Sequence, residues 1–177
     1  MCKKMGDDKG YTLVELVAVM AIMVVMVGVL ALSMTLVFNQ DAQRAAKIIN
    51  SELQEARMLA MSKAGDIEMT IHTTASDPEG YKIDITGGAV NRSVSLDGSI
   101  SVSLTCGGVA VPGAAAYKDI TVKFDKADGK LEKIQGATPV TIDTTKTYEI
   151  VIVAQRGTGH TQKVIIAPNT GRHYVEE

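Results

Sequence analysis

GYTLVELVAVMAIMVVMVGVLALSMTLVFNQ, residues 10–40, is the stretch that decides the architecture of this chain. From Leu16 to its end it contains no charged residue. About 20 such residues cross the hydrocarbon core of a bilayer as a helix, whereas a buried helix of a soluble protein is rarely this apolar. Basic residues tend to stay on the cytoplasmic side, and three of them precede the stretch: Lys3, Lys4 and Lys9. The sequence therefore predicts a membrane-inserted helix whose N-terminus is cytoplasmic.

Glu15 lies at the edge of the apolar stretch, immediately before Leu16. Three interpretations compete: a secretory signal cleaved at the small residues Ala31–Ser33, a plain single-pass anchor, and a processing signal that uses the carboxylate. A charged side chain near the centre of a membrane helix costs about 2.5–3.5 kcal/mol. The first two interpretations do not need a carboxylate at this position. Glu15 therefore favours the third.

Residues 9–16, KGYTLVEL, resemble the processing and methylation motif of type IV prepilins and pseudopilins. The resemblance implies that a membrane-bound prepilin peptidase cuts after Gly10 on the cytoplasmic side and methylates the new N-terminal amine of Tyr11. Glu15 becomes the fifth residue of the mature chain. In a filament its carboxylate would pair with the amine of a neighbouring subunit, because opposite charges attract strongly in a low-dielectric environment. Two features depart from the family pattern: the mature chain begins with Tyr instead of Phe, and the leader contains two aspartates.

Apolar residues recur at helical spacing beyond the uncharged stretch, namely at Ala42, Ala45, Ala46, Ile49, Leu53, Ala56, Leu59 and Ala60. No proline interrupts residues 11–64, and Gly65 follows as a helix stop. We therefore expect one helix of about fifty residues, apolar all round in its first half and amphipathic in its second. The predicted organisation is a leader (1–10), a transmembrane and filament-core helix (11–38), an amphipathic helix (39–65) and a β-rich exported domain (66–177).

After Gly65 the apolar residues alternate with polar ones, which indicates β-strands. We predict strands at Ile67–Thr73, Tyr81–Thr86, Ala89–Leu96, Ser99–Leu104, Ile120–Asp125, Leu131–Ile134, Tyr148–Ala154 and Lys163–Ala167. Turn residues separate them, and Asp97-Gly98 is a good hairpin signal. Cys106–Ala116, rich in Gly, Ala and Val, is predicted to be a loop. The expected fold class is α+β, with the long N-terminal helix packed on an antiparallel β-sheet.

Three later segments carry a second resemblance. They read SELQEARMLAMSKAG (51–65), ITVKFDKADGK (120–130) and KVIIAPNTGRHYVEE (163–177). Together they are similar to H-type minor pseudopilins of type II secretion systems and to the related minor pilins of type IV pili. The resemblance implies a minor, low-abundance subunit near the tip of a filament, with the long helix packed against antiparallel sheet.

The charge and cysteine content of the chain bear on nucleic-acid binding and on disulfide formation. The chain has 18 Lys and Arg against 20 Asp and Glu, so no basic excess predicts nucleic-acid binding. If the leader is removed, Cys106 is the only cysteine left and no intrachain disulfide can form. We expect Cys106 to be a half-buried strand residue.

The sequence contains no pattern that predicts catalysis, a metal or another cofactor. The spacing of His72, His160 and His173 matches no metal motif. The loop that contains Asp125 and Asp128 lacks the alternating carboxylates and closing Glu of an EF-type calcium loop, so a plain hairpin turn is the better interpretation. We therefore expect a protein that is not an enzyme and binds no metal.

These patterns together predict a structural subunit of a type IV pilus or of a type II secretion-like pseudopilus. Its expected partners are the prepilin peptidase, other pilin or pseudopilin subunits and the cytoplasmic membrane, with no nucleic acid. After export the C-terminal domain would be extracytoplasmic. The alternative is a membrane-anchored extracytoplasmic binding domain that does not polymerise. Glu15 distinguishes the two, because polymerisation explains an intramembrane carboxylate at this position and simple anchoring does not.

Overall fold

The computed structural model describes residues 12–62, 65–72, 80–96, 99–111, 119–136, 140–155 and 159–176, with side chains described except at 30–39. The chain divides into two units, Met1–Leu36 and Val37–Glu177.

One long helix, α1, spans Leu13–Met61 and contains 49 residues. Its length confirms the prediction of a single helix of about fifty residues, since no proline and only one glycine, Gly28, interrupt it. At its end the Ser62 N–H donates to the carbonyl oxygens of Met58 (3.0 Å) and Leu59 (3.2 Å), which tightens the last turn.

In the first unit, the described side chains of α1 are exposed on every side of the helix. The large apolar side chains between Leu13 and Val29 range from 49% exposed at Val19 to 79% exposed at Leu13. In the part of the chain that the structure describes, no helix is both long and apolar enough to cross a membrane. The exposed apolar surface of these residues is nevertheless continuous, and surfaces of this kind mark contacts with other molecules.

In the second unit, α1 is amphipathic and buries one side in the core. The buried positions recur at intervals of three and four residues: Ala42, Ala45, Ala46, Ile49, Leu53, Ala56 and Ala60. Most of them are alanines, whose small side chains let the helix approach its neighbours closely. They belong to the same core cluster as the inward-facing strand residues. The helix is therefore packed on sheet, as predicted.

The described strands form two five-stranded sheets in which every pairing is antiparallel. In sheet order the first contains β3 (Val90–Ser95), β2 (Lys82–Gly87), β1 (Glu68–His72), β6 (Ile120–Phe124) and β7 (Leu131–Gln135). The second contains β10 (Arg172–Glu176), β9 (Thr161–Ala167), β8 (Tyr148–Ala154), β4 (Ile100–Cys106) and β5 (Val109–Ala110). The predicted α+β class is confirmed, with two sheets where the sequence suggested one.

Side chains alternate between the core and the outer face along the central strands, as a pleated strand requires. On β1, Met69 and Ile71 are fully buried, whereas Glu68, Thr70 and His72 are partly exposed. On β8, the alternation runs through all seven residues, with Tyr148 at one end and Ala154 at the other. The apolar alternation that predicted the strands is therefore the alternation that builds the core.

Two strands were missed by the sequence analysis. The prediction that Cys106–Ala116 is entirely loop is wrong, because Thr105 and Cys106 pair with Ala110 and Val109 across the turn at residues 107–108. The C-terminal strand β10 was also not predicted, since its sequence RHYVE has little apolar alternation. The remaining strands lie where they were predicted, with ends shifted by a residue or two.

Candidate functional site

The first turn of α1 carries the residue on which the functional prediction depends. Gly10 and Tyr11, the predicted cleavage and methylation positions, lie outside the described residues. Glu15 is described and is the third residue of the helix. Its N–H donates to the carbonyl oxygen of Thr12 at 3.1 Å and lies 3.3 Å from the Thr12 hydroxyl oxygen.

Thr12 therefore caps the helix, a role that the sequence analysis missed. A Thr followed three residues later by a Glu is the pattern of a capping box, in which the hydroxyl accepts from the third backbone N–H of the helix. The spacing of Thr12 and Glu15 was visible in the sequence. An acidic side chain in the first turn also interacts favourably with the positive end of the helix dipole. Glu15 thus has a local structural role besides any role in assembly.

The side chains around Glu15 on α1 are almost all apolar. Between Leu13 and Val29 it is the only charged residue, and the large apolar side chains along this segment are about half or more exposed. A carboxylate in that setting has no cation beside it on its own helix. The arrangement presents one negative charge on an apolar surface, which suits pairing with a positive group brought by another molecule.

A second constellation lies near the other end of α1, around Arg57. The Arg57 guanidinium donates through Nε to the carbonyl oxygen of Gly129 (3.0 Å) and through Nη2 to that of Thr170 (2.8 Å). Gly129 lies in the turn between β6 and β7, and Thr170 lies in the turn between β9 and β10. The three segments that resemble minor pseudopilins, 51–65, 120–130 and 163–177, therefore meet at one arginine.

The two turns that Arg57 joins are in direct contact with each other. The Leu131 N–H donates to the carbonyl oxygen of Pro168 at 3.0 Å, which connects the start of β7 to the turn before β10. Gly171 has φ of +61°, and a Cβ placed on it would lie 1.8 Å from the Gly129 carbonyl oxygen. Only glycine fits at this approach. The contact joins the two sheets beneath the helix.

On the opposite flank of the helix, Arg92 of edge strand β3 pairs with two helix carboxylates. Arg92 Nη2 lies 3.0 Å from Glu52 Oε1, and its Nη1 contacts Glu55. The Glu52 side chain is only 6% exposed, whereas that of Arg92 is 45% exposed. Burial raises the pKa of Glu52, Arg92 opposes this, and the negative charge of Glu55 adds to the rise.

The three histidines have different partners and share none of them. His72 Nε2 is 3.1 Å from Asp84 Oδ2, and its Nδ1 is 3.3 Å from Asp119 Oδ1. His160 Nε2 contacts Gln162 Nε2 at 3.0 Å. Burial lowers the pKa of His173, in β10, and the nearby Arg57 charge acts in the same direction. Within the described ranges, no group of three or more His, Cys, Asp or Glu side chains could hold a metal ion.

The loop between β6 and β7 forms a hairpin turn, as predicted. Asp125 Oδ1 accepts from the Ala127 N–H (2.7 Å), and Asp128 Oδ1 accepts from the Lys130 N–H (3.0 Å). Both aspartates therefore stabilise the turn itself, in the manner of Asx turns. Cys106 is a free thiol at the end of β4 and is half-buried, which confirms its predicted place.

Comparison with known families supports the interpretation of the N-terminal segment. A family model described as the prokaryotic N-terminal methylation motif matches residues 5–31. The match includes Gly10, Tyr11 and Glu15 and most of the apolar stretch. The N-terminal segment thus carries the methylation motif that its sequence predicts.

Comparison with solved structures finds two crystal structures of the type IV minor pilin FimU of Pseudomonas aeruginosa strain PAO1, in space groups P21 and P65. Both are 20% identical to this chain. The first match covers 78% of this chain and 90% of FimU with a TM-score of 0.48. The second covers 76% and 92% with a TM-score of 0.47. No curated protein matches the chain in sequence.

Proposed function

We propose that this chain is a prepilin that becomes a minor subunit of a type IV pilus or of a type II secretion-like pseudopilus. The observation that carries the proposal is Glu15, a single carboxylate in the first turn of a helix whose apolar side chains are exposed all round. It lies inside the matched methylation motif, residues 5–31. The resemblance of the later segments to H-type minor pseudopilins supports the minor role.

In this proposal the leader, residues 1–10, stays in the cytoplasm, and residues 11–38 hold the chain in the cytoplasmic membrane as a single pass. The prepilin peptidase removes the leader after Gly10 and methylates the Tyr11 amine. Residues 39–65 continue as the amphipathic helix, and the domain at 66–177 is extracytoplasmic. The apolar stretch is suited to the membrane and to the filament core alike, because its surface can contact lipid before assembly and neighbouring helices afterwards.

Assembly then depends on one charge pair. The amine of one subunit and the Glu15 carboxylate of another neutralise each other where water is excluded, and breaking such a pair by removing one partner costs about 3–5 kcal/mol. The same pair would select the axial position of a subunit, since an unpaired amine or carboxylate in the filament core is unfavourable.

Two substitutions separate assembly from helix capping. Glu15→Gln removes the charge but leaves a residue that is accepted at the third position of a capping box. Thr12→Ala removes the capping hydroxyl but leaves the carboxylate. We expect Glu15→Gln to be cleaved normally yet to be strongly depleted from filaments. We expect Thr12→Ala to be incorporated at close to the wild-type level.

The measurement is crosslinking and filament pull-down of the three chains, produced at equal level in cells that contain the chain's own assembly system. If wild type and Glu15→Gln are incorporated equally, the carboxylate is not an assembly determinant. Absence of all three from filaments would favour the alternative function, a membrane-anchored binding domain that does not polymerise.

A further inference from the structure

Two recesses follow one another along the flank of α1 that faces strands β9 and β10, and together they are called the groove here. Five helix residues line it at intervals of four and three, which places them on one side of the helix: Gln43, Lys47, Asn50, Gln54 and Arg57. From the first to the last, the helix rises about 21 Å at 1.5 Å per residue. An extended chain covers that length in about six residues at 3.3 Å each.

The first part of the groove is a recess of about 440 Å³. Its walls are Gln43 and Lys47 from the helix, and His160, Gln162 and Val175 from the sheet side. Gln162 is a polar residue that is only 8% exposed, and it is held by its contact with His160 at 3.0 Å. The recess therefore has a fixed polar wall instead of mobile surface side chains.

The second part is a recess of about 240 Å³, lined by Asn50, Gln54, Arg57, Arg172 and His173. Arg57 is fixed by its two bonds to backbone carbonyls. Arg172 is exposed, and within the described residues no acidic side chain pairs with it. Asn50 Oδ1 is buried and has no hydrogen-bond partner among the described residues.

The charge of the groove is one-sided. The two recesses are lined by three cationic side chains, Lys47, Arg57 and Arg172. No carboxylate of the described residues lines either recess. Glu176, the acidic residue of β10, is exposed, whereas its neighbour Val175 is half-buried. Its carboxylate oxygen Oε2 lies 3.9 Å from Lys163 Nζ, outside the groove. Because the chain as a whole has a slight acidic excess, a lining of this sign is a local feature and complements a negatively charged ligand.

Strand β10 gives the groove a second property. It is the terminal strand of its sheet, so in the described part of the chain no further strand pairs with its outer edge. An open strand edge beside a groove is the arrangement by which proteins bind extended peptides, with main-chain bonds providing affinity and side-chain recesses providing specificity. The groove thus combines length and positive charge with a wall that includes residues of a terminal strand.

We propose that this groove binds an extended acidic segment of a partner polypeptide, about six residues long. The carboxylates of the segment contact Lys47 in the first recess and Arg172 in the second. A free phosphate or a single carboxylate would fill one recess only. The proposal goes beyond the filament role and does not rest on it.

The test uses the full chain in micelles of a nonionic detergent and a fluorescent hexapeptide of alternating valine and glutamate, read by anisotropy. A hexapeptide of alternating valine and lysine is the control probe. We expect binding of the acidic peptide only. Lys47→Glu and Arg172→Glu should each weaken it by at least about fivefold, which corresponds to the loss of one charge contact. Arg44→Glu, on the same helix but outside the groove, should leave it unchanged.

All three substitutions are at exposed positions, so the fold should survive each of them, and matching thermal unfolding curves would verify this. Equal weakening by Arg44→Glu would show a diffuse attraction and overturn the proposed site. Binding of both peptides to the same extent would overturn it as well. Displacement of the acidic peptide by inorganic phosphate at equal charge concentration would identify a simple anion site and not a peptide groove.

Discussion

At the scale of single residues, Glu52 shows how burial and charge compete. Its side chain is nearly inaccessible, one carboxylate oxygen pairs with Arg92, and the other is buried with no hydrogen-bond partner among the residues that the structure describes. The desolvation is the larger effect, so its pKa lies above the ordinary value of 4.5. An acid with a raised pKa in the folded state stabilises the fold below its ordinary pKa, and this contribution is lost as the pH rises through the folded value.

The variant Glu52→Gln has nearly the same shape and cannot ionise. We expect the free energy of unfolding of the wild type to fall relative to that of the variant as the pH rises above 4.5. Urea unfolding of both chains at pH 4 and pH 7 measures the difference. A difference that instead moves in favour of the wild type at pH 7 would show that attraction to Arg92 outweighs burial.

Residues differ in how much of their role the sequence reveals. Glu15 could be singled out because a charge beside a long apolar stretch is costly unless it has a function. The capping role of Thr12 was equally visible, as a Thr three residues before a Glu. Arg57 could not be found in this way, because its partners are the backbone carbonyls of Gly129 and Thr170, which are 72 and 113 residues away.

At the scale of structural elements, the contact between two turns joins the sheets. The turn before β7 and the turn before β10 approach so closely that the Gly171 position has no room for a side chain. Gly159 has a similar backbone conformation, with φ of +68°, but among the described residues other than its chain neighbours no atom lies within 4 Å of a Cβ built there. The two glycines therefore have nearly the same φ angle but differ in how much space a side chain would have.

Alanine at each position separates these effects. We expect Gly159→Ala to cost about 1–2 kcal/mol, the cost of a left-handed conformation in a residue with a Cβ. Gly171→Ala should cost about 1–3 kcal/mol more, since the backbone of the neighbouring turn must also move. Thermal or urea unfolding of the two variants measures this. Equal destabilisation would mean that the turns separate easily.

The elements themselves were largely predictable, whereas their arrangement was not. Strands with strict alternation, such as β8, are recognisable because one face is buried. β10 was not predicted because it is an edge strand whose outward-facing side chains are exposed and mostly polar. β5 was not predicted because it has only two residues. The division into two sheets depends on pairings between distant segments, such as β1 with β6 and β4 with β8, and alternation within a strand carries no information about its partner.

At the scale of the whole molecule, the core lies entirely within the second unit, Val37–Glu177. A chain beginning at Asn39 keeps every helix residue whose side chain is described as buried, and also the bond from the Ser99 hydroxyl to Asp41 (3.1 Å). We expect it to be monomeric and folded without detergent, because helix and sheets bury each other. Size-exclusion chromatography and thermal unfolding provide the measurement.

A matched control is a chain beginning at Gln54, which removes buried positions of the helix from Ala42 to Leu53. Loss of this much apolar contact should abolish cooperative unfolding. If the chain from Asn39 aggregates or unfolds without a transition, the proposed boundary between membrane helix and exported domain is wrong.

The central claim, that the chain is processed as a prepilin, has its most direct test in the N-terminus of the protein purified from membranes. Mass spectrometry of the N-terminal peptide should find a chain that begins at Tyr11 with a methylated amine. Replacing Gly10 with a bulky residue should leave the leader attached, because the peptidase recognises glycine at the cut. A chain that begins at Met34, as ordinary secretory cleavage after Ser33 would give, would contradict the account.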